Sequence, residues 1–172
     1  MRKITKKVSS DPKFIVDRMY NRLARWLRIL GYDTLFDSSF SDKDYLEKAK
    51  NESRILITRN ENLASRASKL ALKAVQVDAP TIEERLIKLY KEANIALSLN
   101  DDVISRCSKC NSEIEPIQKK DIENLLLEGT KNQYNEFWIC KNINCQQIYW
   151  KGPHWDKMKK SLEKCKEILT EQ

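Results

Sequence analysis

The sequence has no long apolar run and very few glycines. No stretch approaches the roughly 18 consecutive apolar residues that a membrane-spanning helix requires, so we expect no membrane partner. The chain has 3 glycines in 172 residues and no Gly-rich phosphate loop, which argues against a nucleotide cofactor. Its basic N-terminus is not followed by the apolar segment of a signal peptide. We therefore expect a cytoplasmic protein.

Histidine is nearly absent, since His154 is the one histidine in the chain. No Ser or Cys nucleophile motif accompanies it, so it is a poor general base. It lies in YWKGPHWDKM, where aromatic and basic side chains are mixed. Such a segment suits base stacking and phosphate contact, and structural packing explains it equally well.

Acidic residues are outnumbered only in the first part of the chain. Residues 1–100 carry 20 Lys and Arg against 13 Asp and Glu, whereas the remaining residues carry 12 against 12. A basic surface can simply keep a protein in solution, or it can bind a polyanion, of which nucleic acid is the simplest. Residues 1–12 are predicted to form a basic N-terminal tail.

Strand and helix signals alternate over residues 13–98. Strands are predicted at 13–16, 34–36, 54–58 and 74–77, and helices at 19–30, 42–51, 61–72 and 81–96. Ser41 or Asp42 caps the second helix, and Thr81 with Glu84 forms a capping box at the fourth. The alternation predicts an α/β domain, a parallel sheet flanked by helices.

Polar side chains follow the predicted strands where they end. Asp17 follows the first strand, the third strand ends at TRN (58–60), and Asp78 follows the fourth, while Asp42 and Asp44 open the second helix. Ligand sites of open parallel sheets lie beyond the carboxyl ends of the strands. Asp42 and Asp44 can serve merely as helix caps, and Asp78 can merely shape a turn. Asp17 follows the apolar FIV, where a charge is costly without a partner.

The first helix carries an apolar face and a basic face. The apolar face, predicted to be core, consists of Met19, Leu23, Trp26, Leu27 and Leu30. The basic face consists of Arg18, Arg22 and Arg25, with Arg28 beside them. It begins next to Asp17 and Arg59 adds to it, so it predicts either phosphate contacts or a solvated surface.

The cysteines are confined to the last third of the chain. Cys107 and Cys110 form one pair, and Cys140 and Cys145 form a second about 30 residues later. This spacing is typical of a structural zinc site with four thiolate ligands, and two disulfides are the alternative. Cys165 lies with apolar residues at helical spacing, so we expect it to be a small apolar residue of a C-terminal amphipathic basic helix over residues 156–172.

Several segments together resemble the Mut-seven C-terminal RNase family. FIVDRMYNRLARWLRILGYDT, SDKDYLEKA and RILITRNENLASRA resemble its N-terminal half. SRCSKCNSEIEPI and FWICKNINCQQIYWKGPHW are similar to its zinc ribbon and the Trp-rich motif that follows. The resemblance covers about residues 13–158. It implies a PIN-like RNase domain at 13–98 and a zinc ribbon at 102–155.

The resemblance also implies a catalytic acidic site that binds Mg²⁺ or Mn²⁺ and hydrolyses RNA phosphodiester bonds. Asp17 matches the first acid, and Asp42 and Asp44 match the acidic positions of the second helix. Asn60 matches the position after Thr-Arg where the family usually has Asp. Carboxylates suit these hard cations. The expected RNA contacts are Arg18, Arg22, Arg25, Arg59 and His154.

Two departures from the family separate two hypotheses. Asn60 removes one negative charge from the site, which Asp78 could partly replace, and Asn21 stands where the family commonly has Gly. The first hypothesis is a metal-dependent ribonuclease, favoured by Asp17, Asp42 and Asp44. The second is a non-catalytic RNA-binding protein of a ribonucleoprotein, favoured by Asn60 and by the basic tail. The tail's basic residues are Arg2, Lys3, Lys6 and Lys7.

Overall fold

A computed structural model describes residues 11–99 and 105–171. Most of the predicted basic tail, residues 102–104 of the predicted ribbon and Gln172 lie outside the described residues. In the part of the chain that the structure describes, no helix is both long enough and apolar enough to cross a membrane.

The first half of the chain forms a parallel sheet with helices on both faces. Its strands are β1 (Lys13–Val16), β2 (Thr34–Leu35), β3 (Arg54–Thr58) and β4 (Ala74–Gln76). They lie in the order β2-β1-β3-β4, and every neighbouring pair is parallel. The α/β class with a parallel sheet is therefore confirmed. β1 and β3 are central, so the residues that follow them lie side by side.

The helices of this half are shorter than predicted, except for the second. They are α1 (Asn21–Ile29), α2 (Asp42–Asn51), α3 (Glu61–Lys69) and α4 (Ile82–Ala93). A separate 3₁₀ turn at Arg18–Tyr20 precedes α1 because the Asp17 carboxylate accepts a hydrogen bond from the backbone N–H of Met19. α3 and α4 end early because Ala71 and Asn94 take a left-handed backbone conformation, each with φ 55°.

Alternate residues of the central strands divide the core into two layers. Phe14, Val16 and Ile57 face α1 and α4, whereas Ile15 and Leu56 face α2 and α3. The apolar face of α1 lies in the first layer, as predicted, with one exception. The prediction for Met19 is wrong: it is 64% exposed, because the 3₁₀ turn rotates it away from the α1 face.

The C-terminal half forms a small antiparallel sheet and a long helix. The strands β5 (Ile114–Ile117), β6 (Phe137–Cys140) and β7 (Ile148–Tyr149) lie in that order, with the short helices α5 (Lys119–Ile122) and α6 (Glu128–Gln133) between β5 and β6. α7 (Pro153–Thr170) starts at a proline, three residues before the predicted start. It packs on the first half, where Met158, Leu162 and Cys165 join the core. Cys165 is fully buried, which confirms it as an apolar docking residue.

Arg28 joins the two halves, so its prediction as part of the exposed basic face is wrong. Its side chain is 4% exposed. It donates hydrogen bonds to the carbonyl oxygens of Thr34 (2.9 Å), Ser108 and Lys109 (3.1 Å each). Asn111 supports the same junction, since it accepts from the Thr34 N–H and donates to Asp33. The first cysteine pair is therefore anchored directly to the parallel sheet.

We expect Arg28→Lys to lower the free energy of unfolding by about 1–3 kcal/mol. A lysine cannot reproduce the guanidinium fork, so buried carbonyl groups lose their donors. Urea unfolding of the zinc-loaded protein measures the change. Arg25→Lys, the same substitution at an exposed position of α1, is the control. Equal stability of the two variants would contradict the role given to Arg28.

Candidate functional site

Asp17 lies at the carboxyl end of β1 and is almost buried. It is 5% exposed. Its carboxylate accepts hydrogen bonds from the Thr58 hydroxyl (2.6 Å) and from the backbone N–H of Met19 (3.3 Å). Both donors are neutral, and Asp17 forms no ion pair with any residue that the structure describes. A buried carboxylate in such surroundings lacks a counter-charge.

Thr58 connects Asp17 to Asn60 across the ends of β1 and β3. Besides donating to Asp17, the Thr58 oxygen accepts a hydrogen bond from the Asn60 backbone N–H (3.0 Å). The Asn60 side-chain oxygen caps α3, because it accepts from the backbone N–H of Leu63 (3.2 Å). Asp17 and Asn60 are therefore placed by one hydrogen-bond network at the same edge of the sheet.

Asp42, the first residue of α2, is held between two arginines. Its two carboxylate oxygens lie 3.3 Å from Arg18 and 3.4 Å from Arg66. Arg18 directly follows Asp17, and Arg66 belongs to the helix that Asn60 caps. These contacts bring the start of α2 to the ends of β1 and β3. We call this edge, with Asp17, Asp42, Asp44 and Asn60, the acidic rim.

Asp44 forms a capping box with Ser41. Its Oδ2 accepts from the Ser41 hydroxyl (2.6 Å) and backbone N–H (2.8 Å). The hydroxyl and backbone hydrogen bonds hold the pKa of Asp44 below its usual range. The carboxylate is therefore ionised at neutral pH, but these bonds direct Oδ2 towards the start of its own helix. Its assignment as a metal ligand stays a prediction.

Arg59 and Asp78 form an exposed ion pair beyond β3 and β4. Their charged atoms are 2.9 Å apart, and both side chains are more than half exposed. The carboxylate of Asp78, which could partly replace the charge missing at Asn60, is thus paired with Arg59. Asn21, the other departure from the family pattern, is exposed at the first position of α1.

Sequence reasoning missed the positioning residues of the acidic rim. Thr58 was recognised as part of the polar cluster at the end of β3, but its hydroxyl was not assigned to Asp17. Arg66 gave no signal because its contact with Asp42 joins positions 24 residues apart. Tyr20 was also missed: it is buried and donates to the Val77 carbonyl (2.6 Å), with the Arg85 guanidinium 4.8 Å from its ring centre. Burial raises the pKa of Tyr20, so its hydroxyl remains a donor at neutral pH.

The four paired cysteines converge on one point. Their sulfur atoms all lie within 4.8 Å of one another, with Cys107 Sγ 3.7 Å from Cys145 Sγ and Cys110 Sγ 3.4 Å from Cys140 Sγ. A tetrahedral zinc with Zn–S bonds near 2.3 Å separates its sulfurs by about 3.8 Å. No disulfide joins these residues. The four thiols therefore fit a structural metal such as zinc.

The two cysteine turns share one backbone pattern. The N–H of Cys107 donates to the carbonyl of Ser112, and that of Cys140 donates to the carbonyl of Gln147. In each case the acceptor lies two residues after the second cysteine. One residue separates the second cysteine from the acceptor, Asn111 in the first turn and Gln146 in the second, and each has a positive φ. The longer spacing of the second pair is thus absorbed within an equivalent turn.

No other group of potential metal ligands converges in this way among the described residues. In that part of the chain, the four cysteines are the one group of three or more His, Cys, Asp or Glu side chains whose ligand atoms come close enough together to hold an ion. The three carboxylates of the acidic rim share an edge of the sheet, but they are not closed around a common point. Their role as Mg²⁺ or Mn²⁺ ligands remains a prediction.

The remaining predicted RNA contacts lie away from the acidic rim. Arg22 and Arg25 are exposed on α1, and His154 is exposed on the first turn of α7. Arg25 and His154 line two adjacent cavities between α1, the first cysteine turn and α7. Arg18 and Arg59, in contrast, lie at the rim in ion pairs.

One family model matches nearly the whole chain. It is described as the Mut7-C RNAse domain and matches residues 12–162, from just before β1 to the middle of α7. The match therefore includes the acidic rim and the four cysteines. Comparisons with curated proteins and with solved structures give no match.

Proposed function

Because the chain belongs to the Mut7-C RNase family, we propose that it is a metal-dependent ribonuclease with its active site at the acidic rim. Asp17 and Asp42 are the principal ligands for Mg²⁺ or Mn²⁺. Asp44 and Asn60 complete the site, with Asn60 as a neutral and weaker ligand. The PIN-like domain comprises residues 13–98, and the zinc ribbon is the cysteine-bearing segment that ends where α7 (Pro153–Thr170) begins.

The buried Asp17 carboxylate is the observation that carries this proposal. At 5% exposure and with only neutral donors, this carboxylate lacks a counter-charge, which an approaching cation would supply. The side chains around it supply oxygen atoms, which Mg²⁺ and Mn²⁺ prefer. The donor set of the rim therefore fits a hard divalent cation.

The protein groups have distinct tasks in phosphodiester hydrolysis. Thr58 fixes the orientation of Asp17, and the cap of α3 fixes Asn60. Arg18 and Arg66 hold Asp42, and the same guanidinium groups can bind a phosphate oxygen. When bound, a divalent cation activates water and stabilises the leaving oxygen. No histidine is needed at this edge.

A specific observation favours the second function, an inactive RNA-binding protein associated with a ribonucleoprotein. The amide of Asn60 satisfies the α3 cap without supplying a negative charge. In addition, both Asp42 oxygens are engaged by arginines. A chain of this kind would bind RNA with the same scaffold and leave it intact.

We expect Asn60→Asp to tighten Mn²⁺ binding about tenfold or more. A unit charge about 4 Å from a divalent cation is worth at least about 2 kcal/mol even in water, and about 1.4 kcal/mol is a factor of ten. The fold tolerates the change, because Asp caps helices as well as Asn and its charge favours the α3 N-terminus. Isothermal titration calorimetry measures the affinity. Asn132→Asp, at an exposed site of α6, is the control for net charge, and equal affinities in both variants would remove Asn60 from the site.

Cleavage of end-labelled single-stranded and structured RNAs tests the proposed function. Wild type, Asn60→Asp and Asp17→Asn are compared with and without Mn²⁺ or Mg²⁺. Metal-dependent product from wild type that disappears in Asp17→Asn supports the ribonuclease. Activity in Asn60→Asp alone would mean that the natural chain binds RNA without cutting it. If none of the three proteins cleaves RNA although each still binds it, the proposed catalytic activity is wrong.

A further inference from the structure

A groove lies where α1 meets the zinc ribbon and α7. Two cavities of about 400 and 340 Å³ adjoin there and share the lining residues Arg25, Ser108 and His154. The larger extends over β7 to Tyr149 and Trp150, and the smaller extends along α1 and α7. We call this continuous cleft the junction groove. It belongs to neither half alone.

The lining of the junction groove carries cations and no carboxylates. Four cationic side chains contribute to it, Arg22, Arg25, Lys109 and Lys157, together with the imidazole of His154. Within the residues that the structure describes, none of these side chains forms an ion pair. A concave surface that carries positive charges and no negative ones attracts a polyanion.

The cations of the acidic rim are in the opposite situation. Arg18 and Arg66 are paired with Asp42, and Arg59 is paired with Asp78. Their positive charge is largely neutralised within the protein. The arginines of the rim therefore have carboxylate partners, whereas the cations of the junction groove have none among the described residues.

The larger cavity also offers an aromatic surface. Trp150 lines it and is 37% exposed. The indole rests against Phe137 and Tyr134, with ring centres 6.5 Å apart in both cases. Gly152 makes room for it, because a Cβ at that position would lie 2.8 Å from the indole nitrogen. The ring is thus held in place with part of its surface open, as base stacking requires.

We infer that the junction groove binds a single-stranded segment of the RNA, with phosphates on Arg25 and Lys157 and an unpaired base stacked on Trp150. This inference rests on the proposed function for the identity of the polyanion. α1 provides the connection, because it runs from the acidic rim to the groove. Arg25 lies roughly 6 Å along the axis from the start of α1 at Asn21, at 1.5 Å per residue, and Asp17 immediately precedes the 3₁₀ turn that leads into this helix. RNA held in the groove would therefore continue towards Asp17.

Binding of a fluorescein-labelled oligouridylate to the zinc-loaded full chain tests this inference. Mg²⁺ and Mn²⁺ are omitted, so that binding is read without cleavage, and fluorescence anisotropy is followed over a salt series. Arg25→Glu and Lys157→Glu are each expected to weaken binding roughly tenfold and to reduce the salt slope by about one. Lys166→Glu is the matched control, since Lys166 is exposed on α7 outside the groove lining. It is expected to change the affinity less than about twofold.

Trp150→Ala separates RNA recognition from general attraction of polyanions. Loss of one stacked base is expected to weaken oligouridylate binding about 5- to 100-fold, and Trp150→Phe is expected to restore most of it. Heparin binding is expected to be unchanged by Trp150→Ala. Zinc content, measured in parallel, shows that the ribbon is intact in each variant.

Three results would overturn the inference. Equal effects of Lys157→Glu and Lys166→Glu would place the RNA elsewhere. If Trp150→Ala binds oligouridylate as tightly as wild type does, no base is stacked on Trp150. If Trp150→Ala weakens heparin binding as much as RNA binding, the junction groove attracts polyanions in general and does not recognise RNA bases. By contrast, groove-dependent binding without any cleavage by wild type would support the groove and overturn the ribonuclease, so the two proposals fail separately.

Discussion

Replacing Asp17 with Asn is expected to reduce metal-dependent RNA cleavage at least about 100-fold. The substitution removes the buried negative charge that we assign to the metal while keeping the shape of the side chain. A loss of about 3 kcal/mol in transition-state stabilisation gives that factor. Single-turnover cleavage of an end-labelled RNA at saturating protein measures it.

The protein should remain folded after this change. An amide oxygen can still accept the hydrogen bond that Thr58 donates, whereas the amide NH₂ cannot accept from the Met19 N–H, and the loss of that longer bond is offset because the site no longer contains a buried carboxylate. A thermal unfolding curve close to that of wild type checks this. Asp121→Asn, at an exposed position of α5, controls for the same chemical change elsewhere. Full activity in Asp17→Asn would remove this residue from catalysis.

Replacing Cys110 with Ser is expected to release the zinc and to destabilise the C-terminal half by several kcal/mol. Structural zinc contributes folding free energy directly, because the site does not exist in the unfolded chain. The effect reaches the parallel sheet through Arg28 and Asn111, which join it to the first cysteine turn. We expect one zinc per chain in wild type and none in the variant, by elemental analysis after gel filtration.

Cys165→Ala is the matched control for loss of a thiol. Cys165 is fully buried in the core beside α4 and is not part of the cysteine cluster. The variant should retain one zinc per chain, with at most a modest loss of stability from the missing sulfur. Retention of zinc by Cys110→Ser would contradict the four-thiolate site.

Local signals were sufficient for much of the parallel sheet. RILIT forms β3 with the predicted bounds, because four apolar or β-branched residues, 55–58, run into a polar turn. α2 also has its predicted bounds, since Ser41 and Asp44 form a capping box. The cysteine cluster was predicted from spacing, because paired cysteines on tight turns are typical of a four-thiolate zinc site, and the structure shows four free thiols in place of the alternative of two disulfides.

Contacts between distant segments were beyond these signals. Arg28 has the same helical spacing as its exposed neighbours, and only the docking of the ribbon shows that it is buried. The two arginines that contact Asp42 belong to two different elements. Neither contact can therefore be predicted from the residues next to Asp42 in the sequence. The junction groove could not be predicted from the sequence for the same reason, because three separate segments of the chain form its walls.

The rate of RNA cleavage by wild type as a function of Mn²⁺ concentration tests the account most directly. One single-stranded RNA is used, at saturating protein and with the zinc site loaded. We predict no product without added divalent cation and a rate that rises and saturates with Mn²⁺. Cleavage that is independent of the cation, or bound RNA that stays intact at every Mn²⁺ concentration, would contradict a metal-dependent ribonuclease.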